Sequence, residues 1–296
     1  MVDLLDLVQF LLGGLTTGCI YALVAIGFVL CANVSGVVNF AQGEYVAYGS
    51  LVTASFAVLG FPLLPAVVIA IAVGGGLGFL QERLSHAPVR NTPDFIKITI
   101  TLGVSVALRG LALIIWGKDP IGVPSFTDGV LFAYGVVVPW QNLWVWGATA
   151  VLLICVFSFL KYSRAGRAVR ACSINPDAAR LMGISTSRTT VLVFSAAGAI
   201  GALGGAVIGP IALGSWDAGL DYGLKGFIGA IIGGFRSPGL AVVGGLGIGL
   251  VEALASGYVS SGSKDAIAYG VLLAYLLAQG GVFAFGRAAY ARGERL

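Results

Sequence analysis

Long apolar runs separated by short polar breaks dominate the chain. A helix that crosses a bilayer needs about 20 mostly apolar residues. Residues 7–31 form such a run without a single charge. A polar, glycine-containing break follows at 33–44. Residues 45–81 are again uncharged and long enough for two helices, with Gly60, Phe61 and Pro62 marking the turn between them. Further runs lie at 98–117, 142–160, 189–213, 240–257 and 266–286. The run at 226–235 is too short for a full crossing and predicts a half-helix or re-entrant segment. The pattern thus predicts an all-α, polytopic membrane helix bundle of about eight full transmembrane helices plus one short or re-entrant segment. Residues 1–296 form a single transmembrane domain.

The breaks differ in character. Residues 82–97 read as a polar loop with Arg83, Arg90 and Lys97, where His86 is expected to be solvated. Residues 118–141 form a longer connection with three prolines. Its GVLFAYGVVVPW segment alternates enough for a small hairpin, and an irregular loop fits equally well. The longest polar island is 161–188. It holds six of the 17 Lys and Arg residues and one acid, Asp177.

Composition agrees with the pattern. Only 10% of residues are charged, against about 25% in soluble domains. The net charge of +4 does not indicate a nucleic-acid partner, because the basic residues sit in short loops between spans. Cys19, Cys31, Cys155 and Cys172 form no CxxC and read as small hydrophobes. Asp3 and Asp6 stand where a cleavable signal peptide would carry basic residues. There is no HExxH, GxSxG or Walker lysine loop, and His86 is the single histidine. No catalytic residue, metal or cofactor is expected.

Charge also orients the bundle. If the 161–188 island is cytoplasmic, alternation puts Arg83, Arg90, Lys97, Arg236, Arg287, Arg292 and Arg295 on the same side. Lys118, Lys225 and Lys264 fall opposite, together with most of the acids. This partition needs the short segment to cross once, and it places the N-terminus outside and the C-terminus inside.

Glycine pairs at Gly74/Gly78, Gly201/Gly205, Gly229/Gly233 and Gly245/Gly249 predict close helix packing. Ionisable groups inside spans are costly and are functional candidates. Those are Glu44 at the start of the second span, Arg109 within the fourth and Glu252 late in the chain. Structural pairing would leave the same trace for each. Glu44 lies in Asn39-Phe40-Ala41-Gln42-Gly43-Glu44, where amides and a carboxylate gather at a helix break. Such breaks expose backbone ends that can hold polar solutes. Asn39, Gln42, Glu44, Arg109 and Glu252 are therefore candidate pathway residues.

Within the island, Asn175-Pro176-Asp177 gives an N-cap, a proline at the first helical position and an acid in the first turn. Gly183 is a natural stop. The helix between has about two turns, too few to be stable alone. Ala178, Leu181 and Met182 make a small apolar face beside Ala179 and Arg180. Spacing favours neither a membrane-surface helix nor insertion into a partner's groove.

Asp177-Ala178-Ala179-Arg180-Leu181-Met182-Gly183 resembles the EAA-xxx-G loop of ABC importer permeases, with Asp in place of Glu. With residues 166–171 before it and Ile184 after, it resembles the coupling region of branched-chain amino-acid permeases of the LivH type. The 39–44 segment is similar to that family's NFAxGE stretch. Gly233-Gly234 with Ser237-Pro238-Gly239 resembles its late glycine-rich turn. The resemblance implies a non-catalytic permease subunit in a prokaryotic cell (inner) membrane. It implies as partners a second homologous permease subunit, two cytoplasmic ABC ATPase subunits and an extracytoplasmic solute-binding protein. Residues Asn175 to Gly183 would receive the ATPases, and transport would proceed by ATP-driven alternating access. Branched-chain or related amino acids are the implied solutes. Urea or short amides are the alternative, and an ion-coupled secondary transporter is the competing class.

Overall fold

The computed structural model describes residues 4–133, 135–235 and 237–293, with side chains up to 278. Asp3, Tyr134, Arg236 and Arg295, used in the readings above, lie outside the described residues.

The helices run in the order α1 (Leu4–Ser35), α2 (Gln42–Val58), α3 (Leu63–Gln81), α4 (Asp94–Trp116), α5 (Trp140–Tyr162), α6 (Arg164–Ile174), α7 (Pro176–Leu181), α8 (Thr186–Ala212), α9 (Ala218–Ile232), α10 (Pro238–Tyr258) and α11 (Lys264–Gly293). Each predicted run is found as a helix, usually extended at its ends by charged or polar residues. Asp94, Lys161 and Lys264 lie inside helices because a chain leaving the apolar layer continues its backbone hydrogen bonds into the headgroup region.

Six helices are long and apolar enough to cross a membrane: α1, α3 with its continuation to Val89, α4, α5, α8 and α10. The count of about eight is not reached on those criteria among the described residues: α2 has only 17 residues, and α11 is described with its side chains only to 278. The short segment expected at 226–235 is α9, which begins at Ala218 and spans 15 residues. Its first half, 218–225, precedes the expected run and carries Asp221 and Lys225.

α1 is the axis of the bundle. From Cys19 to Cys31 every side chain is buried, against α8, α9 and α10. Small residues make this possible. A Cβ on Gly249 of α10 would lie 2.3 Å from the Cα of Gly18, and one on Gly245 would lie 2.5 Å from the Cα of Ala22. α8 approaches α2 and α3 in the same way. A Cβ on Gly205 would sit 1.8 Å from the carbonyl oxygen of Val46, and one on Gly78 would sit 2.1 Å from that of Phe194. Dispersion between close backbones replaces the hydrophobic drive that lipid does not supply. α4 and α5 lie at the periphery, with most of their surface outward.

The connection after α4 does form a hairpin. β1 (Val130–Ala133) pairs antiparallel with β2 (Val136–Pro139), and Gly135 supplies a φ of +85° at the turn. Gln9 of α1 clamps it, accepting from Val137 N–H at 3.1 Å and donating to the Val137 carbonyl at 2.7 Å. The expected loop at 82–97 is largely helical instead. A π turn covers Glu82–His86 and a 3-10 turn covers Ala87–Val89. His86 is buried, not solvated, with its ring 5.2 Å from that of Phe194 on α8. Burying Glu82 alongside is tolerable because Arg90 binds its carboxylate.

Candidate functional site

The island folds into two short helices. Ser163 caps α6 by accepting from Gly166 N–H at 2.7 Å. α6 buries Gly166, Val169 and Cys172 and leaves Arg164, Arg167 and Arg170 exposed. α7 then has both of its ends built as its sequence predicts. The Asn175 side chain accepts from the N–H groups of Asp177 and Ala178, each at 3.0 Å, and Pro176 follows as the first helical residue. At the other end Gly183 has a φ of +81°. Gly183 N–H donates to the Arg180 carbonyl at 2.9 Å and Ile184 N–H to the Ala179 carbonyl at 3.0 Å. This double bond pattern satisfies the carbonyls that a helix end leaves open.

All nine predicted coupling residues therefore form one small projection. Ala179 is the only one buried. Asp177 and Arg180 pair at 3.1 Å in the open, a contact worth well under about 1 kcal/mol. Leu181 is 89% and Met182 82% exposed, and Ala178 is exposed beside them. Ile174, at the end of α6, is 85% exposed as well.

The pathway candidates fall into separate clusters. Asn39 and Gln81 exchange amide hydrogen bonds at 2.6 and 3.2 Å, and Tyr45 hydroxyl donates to Gln81. Asn39 also accepts from Ala41 N–H at 3.1 Å, which sets the break that starts α2. Gln42 donates to the Ala197 carbonyl of α8 at 2.9 Å. A Cβ on Gly27 would meet the Gln42 amide nitrogen at 2.1 Å, so that glycine makes room for the amide. Glu44 and Arg109 do come together. Glu44 Oε1 accepts from Arg109 Nη2 at 2.7 Å and from Ser105 Oγ at 2.8 Å, tying α2 to α4. Its Oε2 is buried with no hydrogen-bond partner among the described residues.

Glu252 belongs to a second charged cluster. Its Oε2 accepts from Tyr21 hydroxyl at 2.6 Å, and its Oε1 accepts from Lys225 Nζ at 2.8 Å with Lys264 Nζ 3.5 Å away. Lys225 also faces Asp265 at 2.8 Å and Asp221 at 3.7 Å. Lys225 is 2% exposed and lies inside α9, one residue before the short run expected at 226–235. Asp221, four residues earlier, was the available signal: the pair shares one face of a helix. A cavity of about 300 Å³ adjoins this cluster, lined by Glu252, Lys264, Thr17, Asn142 and Ser256.

The family model for the branched-chain amino acid transport system permease component matches residues 10–279. The high-affinity branched-chain amino acid transport system permease protein LivH of Escherichia coli K12 is 32% identical over 284 residues, covering 91% of this chain and 92% of the relative. The corresponding BraD protein of Pseudomonas aeruginosa is 28% identical, covering 94% and 95%. A more distant relative, the ribose import permease protein RbsC of Escherichia coli K12, is 25% identical over 81% of this chain and 73% of its own. No solved structure matches the chain. With its apolar helices and this match over most of its length, the chain belongs to the branched-chain amino acid transport permease family and is a multi-pass membrane protein.

Proposed function

We propose that the chain is the permease subunit of an ABC importer that moves branched-chain or related amino acids by ATP-driven alternating access. It pairs with a second, homologous permease and binds two cytoplasmic ATPases through α7, while an extracytoplasmic protein delivers the solute. The observation that carries this reading is α7 itself: a two-turn helix capped at both ends and offering Leu181 and Met182 almost fully exposed. Caps worth about 1 kcal/mol each hold in place a helix too short to persist alone. Nothing among the described residues covers its apolar tip, which fits a groove in a soluble partner.

In this reading the basic segment and the C-terminus face the cytoplasm and the N-terminus faces outward. α2, α9 and α11 add to the six longer helices as membrane crossings. The solute passes the polar groups Asn39, Gln42, Glu44, Arg109 and Glu252. These are few and mostly already bonded, which suits a conduit that holds solute weakly and leaves selectivity to the binding protein.

Co-purification tests the reading. The wild-type chain should retain an ATPase subunit in detergent, and Leu181→Asp and Met182→Asp should each lose it. Retention in both variants would overturn the role given to α7.

A further inference from the structure

A larger cavity, of about 850 Å³, lies between α3, α5 and α8. Its walls are apolar, with Ile71, Gly75, Leu152, Val156, Ala199 and Leu203 among them, and Arg188 is the one charged residue that lines it among the described residues. Its depth is set by which parts of the helices line it. α5 contributes residues from 152 to 160, its second half, and α8 contributes residues from 188 to 203, its first part. Val169 of α6 lines it too. The groove therefore occupies the half of the bundle that ends in the basic segment.

That end is rich in uncompensated charge. Lys161, Arg164, Arg167, Arg170 and Arg188 are all exposed, and none has an ion-pair partner among the described residues. Arg167 and Arg170 each donate to a backbone carbonyl, of Tyr162 at 3.1 Å and of Lys161 at 3.3 Å, which leaves most of their N–H groups free.

We propose that this groove binds an anionic phospholipid, with an acyl chain between α3, α5 and α8 and the headgroup phosphate on Arg188. An apolar groove that opens to hydrocarbon is filled by a lipid chain or by protein. The cations at this end choose between them. They favour an occupant that carries apolar length and a negative charge at interfacial depth together, which describes a lipid with an anionic headgroup. Guanidinium groups match phosphate oxygens in geometry as well as charge. The placement in the cytoplasmic leaflet rests on the orientation proposed above, whereas the binding itself does not.

Cys155 supplies a built-in probe, because it lines the groove and is the single exposed cysteine of the four. The full chain, delipidated in neutral detergent, is labelled with a small maleimide. Phosphatidylglycerol or phosphatidylcholine with identical acyl chains is titrated in before the maleimide is added, and native mass spectrometry counts the retained lipid. Phosphatidylglycerol should slow Cys155 labelling at concentrations where phosphatidylcholine does not. Arg188→Gln should raise the phosphatidylglycerol concentration needed about fivefold, the equivalent of one basic residue at a membrane surface. Arg188→Lys should recover most of that loss. Equal protection by the two lipids, or an undiminished preference in Arg188→Gln, would overturn the proposal. So would a Cys155 that is already unreactive in the delipidated complex with its partner permease and reactive in the chain alone, since protein would then fill the groove. None of these readouts depends on whether an ATPase co-purifies.

Discussion

Glu44 and Glu252 are both buried in the bundle, and the structure treats them differently. Glu252 is surrounded. Tyr21, Lys225 and Lys264 take both of its oxygens, and Lys225 is in turn held by Asp265 and Asp221. That cluster joins α1, α9, α10 and α11. Glu44 has one cation and one hydroxyl, both on the same oxygen, and its second oxygen is bare. It joins the core to α4, a peripheral helix with most of its surface outward. An over-determined cluster resists rearrangement. A single link with an unused acceptor can exchange partners at small cost. The comparison separates a charged group that fastens four helices from one that ties a single peripheral helix to the core.

The sharpest way to break this contrast is to remove Lys225. Lys225→Met leaves Glu252 buried with its closest cation gone, and losing one partner of a buried pair costs about 3–5 kcal/mol. Unfolding in mixed micelles should show that loss, with transport failing because little folded protein remains. Glu44→Gln should behave otherwise. The amide keeps its shape, Ser105 can still donate to it, and the stability cost should be about 1–3 kcal/mol. Uptake into proteoliposomes should fall further than the amount of folded protein does. Equal losses of fold and uptake in Glu44→Gln and Lys225→Met would erase the distinction.

Smaller changes place α7 on the same scale. Asn175→Ala removes an acceptor that serves two N–H groups and should weaken the segment by about 1 kcal/mol. ATPase co-purification should drop partially, with global unfolding almost unchanged. Leu181→Asp adds a charge where the side chain touches little, so stability should shift by no more than about 0.5 kcal/mol. Loss of the ATPase in that variant would then report docking alone.

What the sequence revealed follows the range of the interactions involved. α7 was legible to the residue because its start and stop depend on neighbours within a few positions: Asn175 on Ala178, Gly183 on Arg180. The glycine pairs were legible because close packing leaves a periodic mark. The burial of Lys225 was not legible because its partners Glu252 and Asp265 lie far along the chain, and a lone lysine beside an apolar run reads as the end of that run. His86 failed for the same reason, since its cover comes from Phe194 on α8. The joining of Glu44 to Arg109, and the separation of both from Asn39 and Gln42, depends on how α2, α4 and α8 are arranged. No local spacing encodes that.

The glycine contacts have a mechanical consequence. Where α8 meets α2 and α3, backbone touches backbone at the glycines, and there no side chain lies between them to act as a bearing. Such helices cannot slide past one another without collision, so they turn together like gears keyed to one shaft. Only Met182 to Ser185 separate α7 from α8, and the capping bonds of Gly183 and Ile184 stiffen that joint. On the proposed reading, force applied to a projection of two helical turns would reach a three-helix block as a whole. The protein needs no long lever, because the gearing is already in the chain.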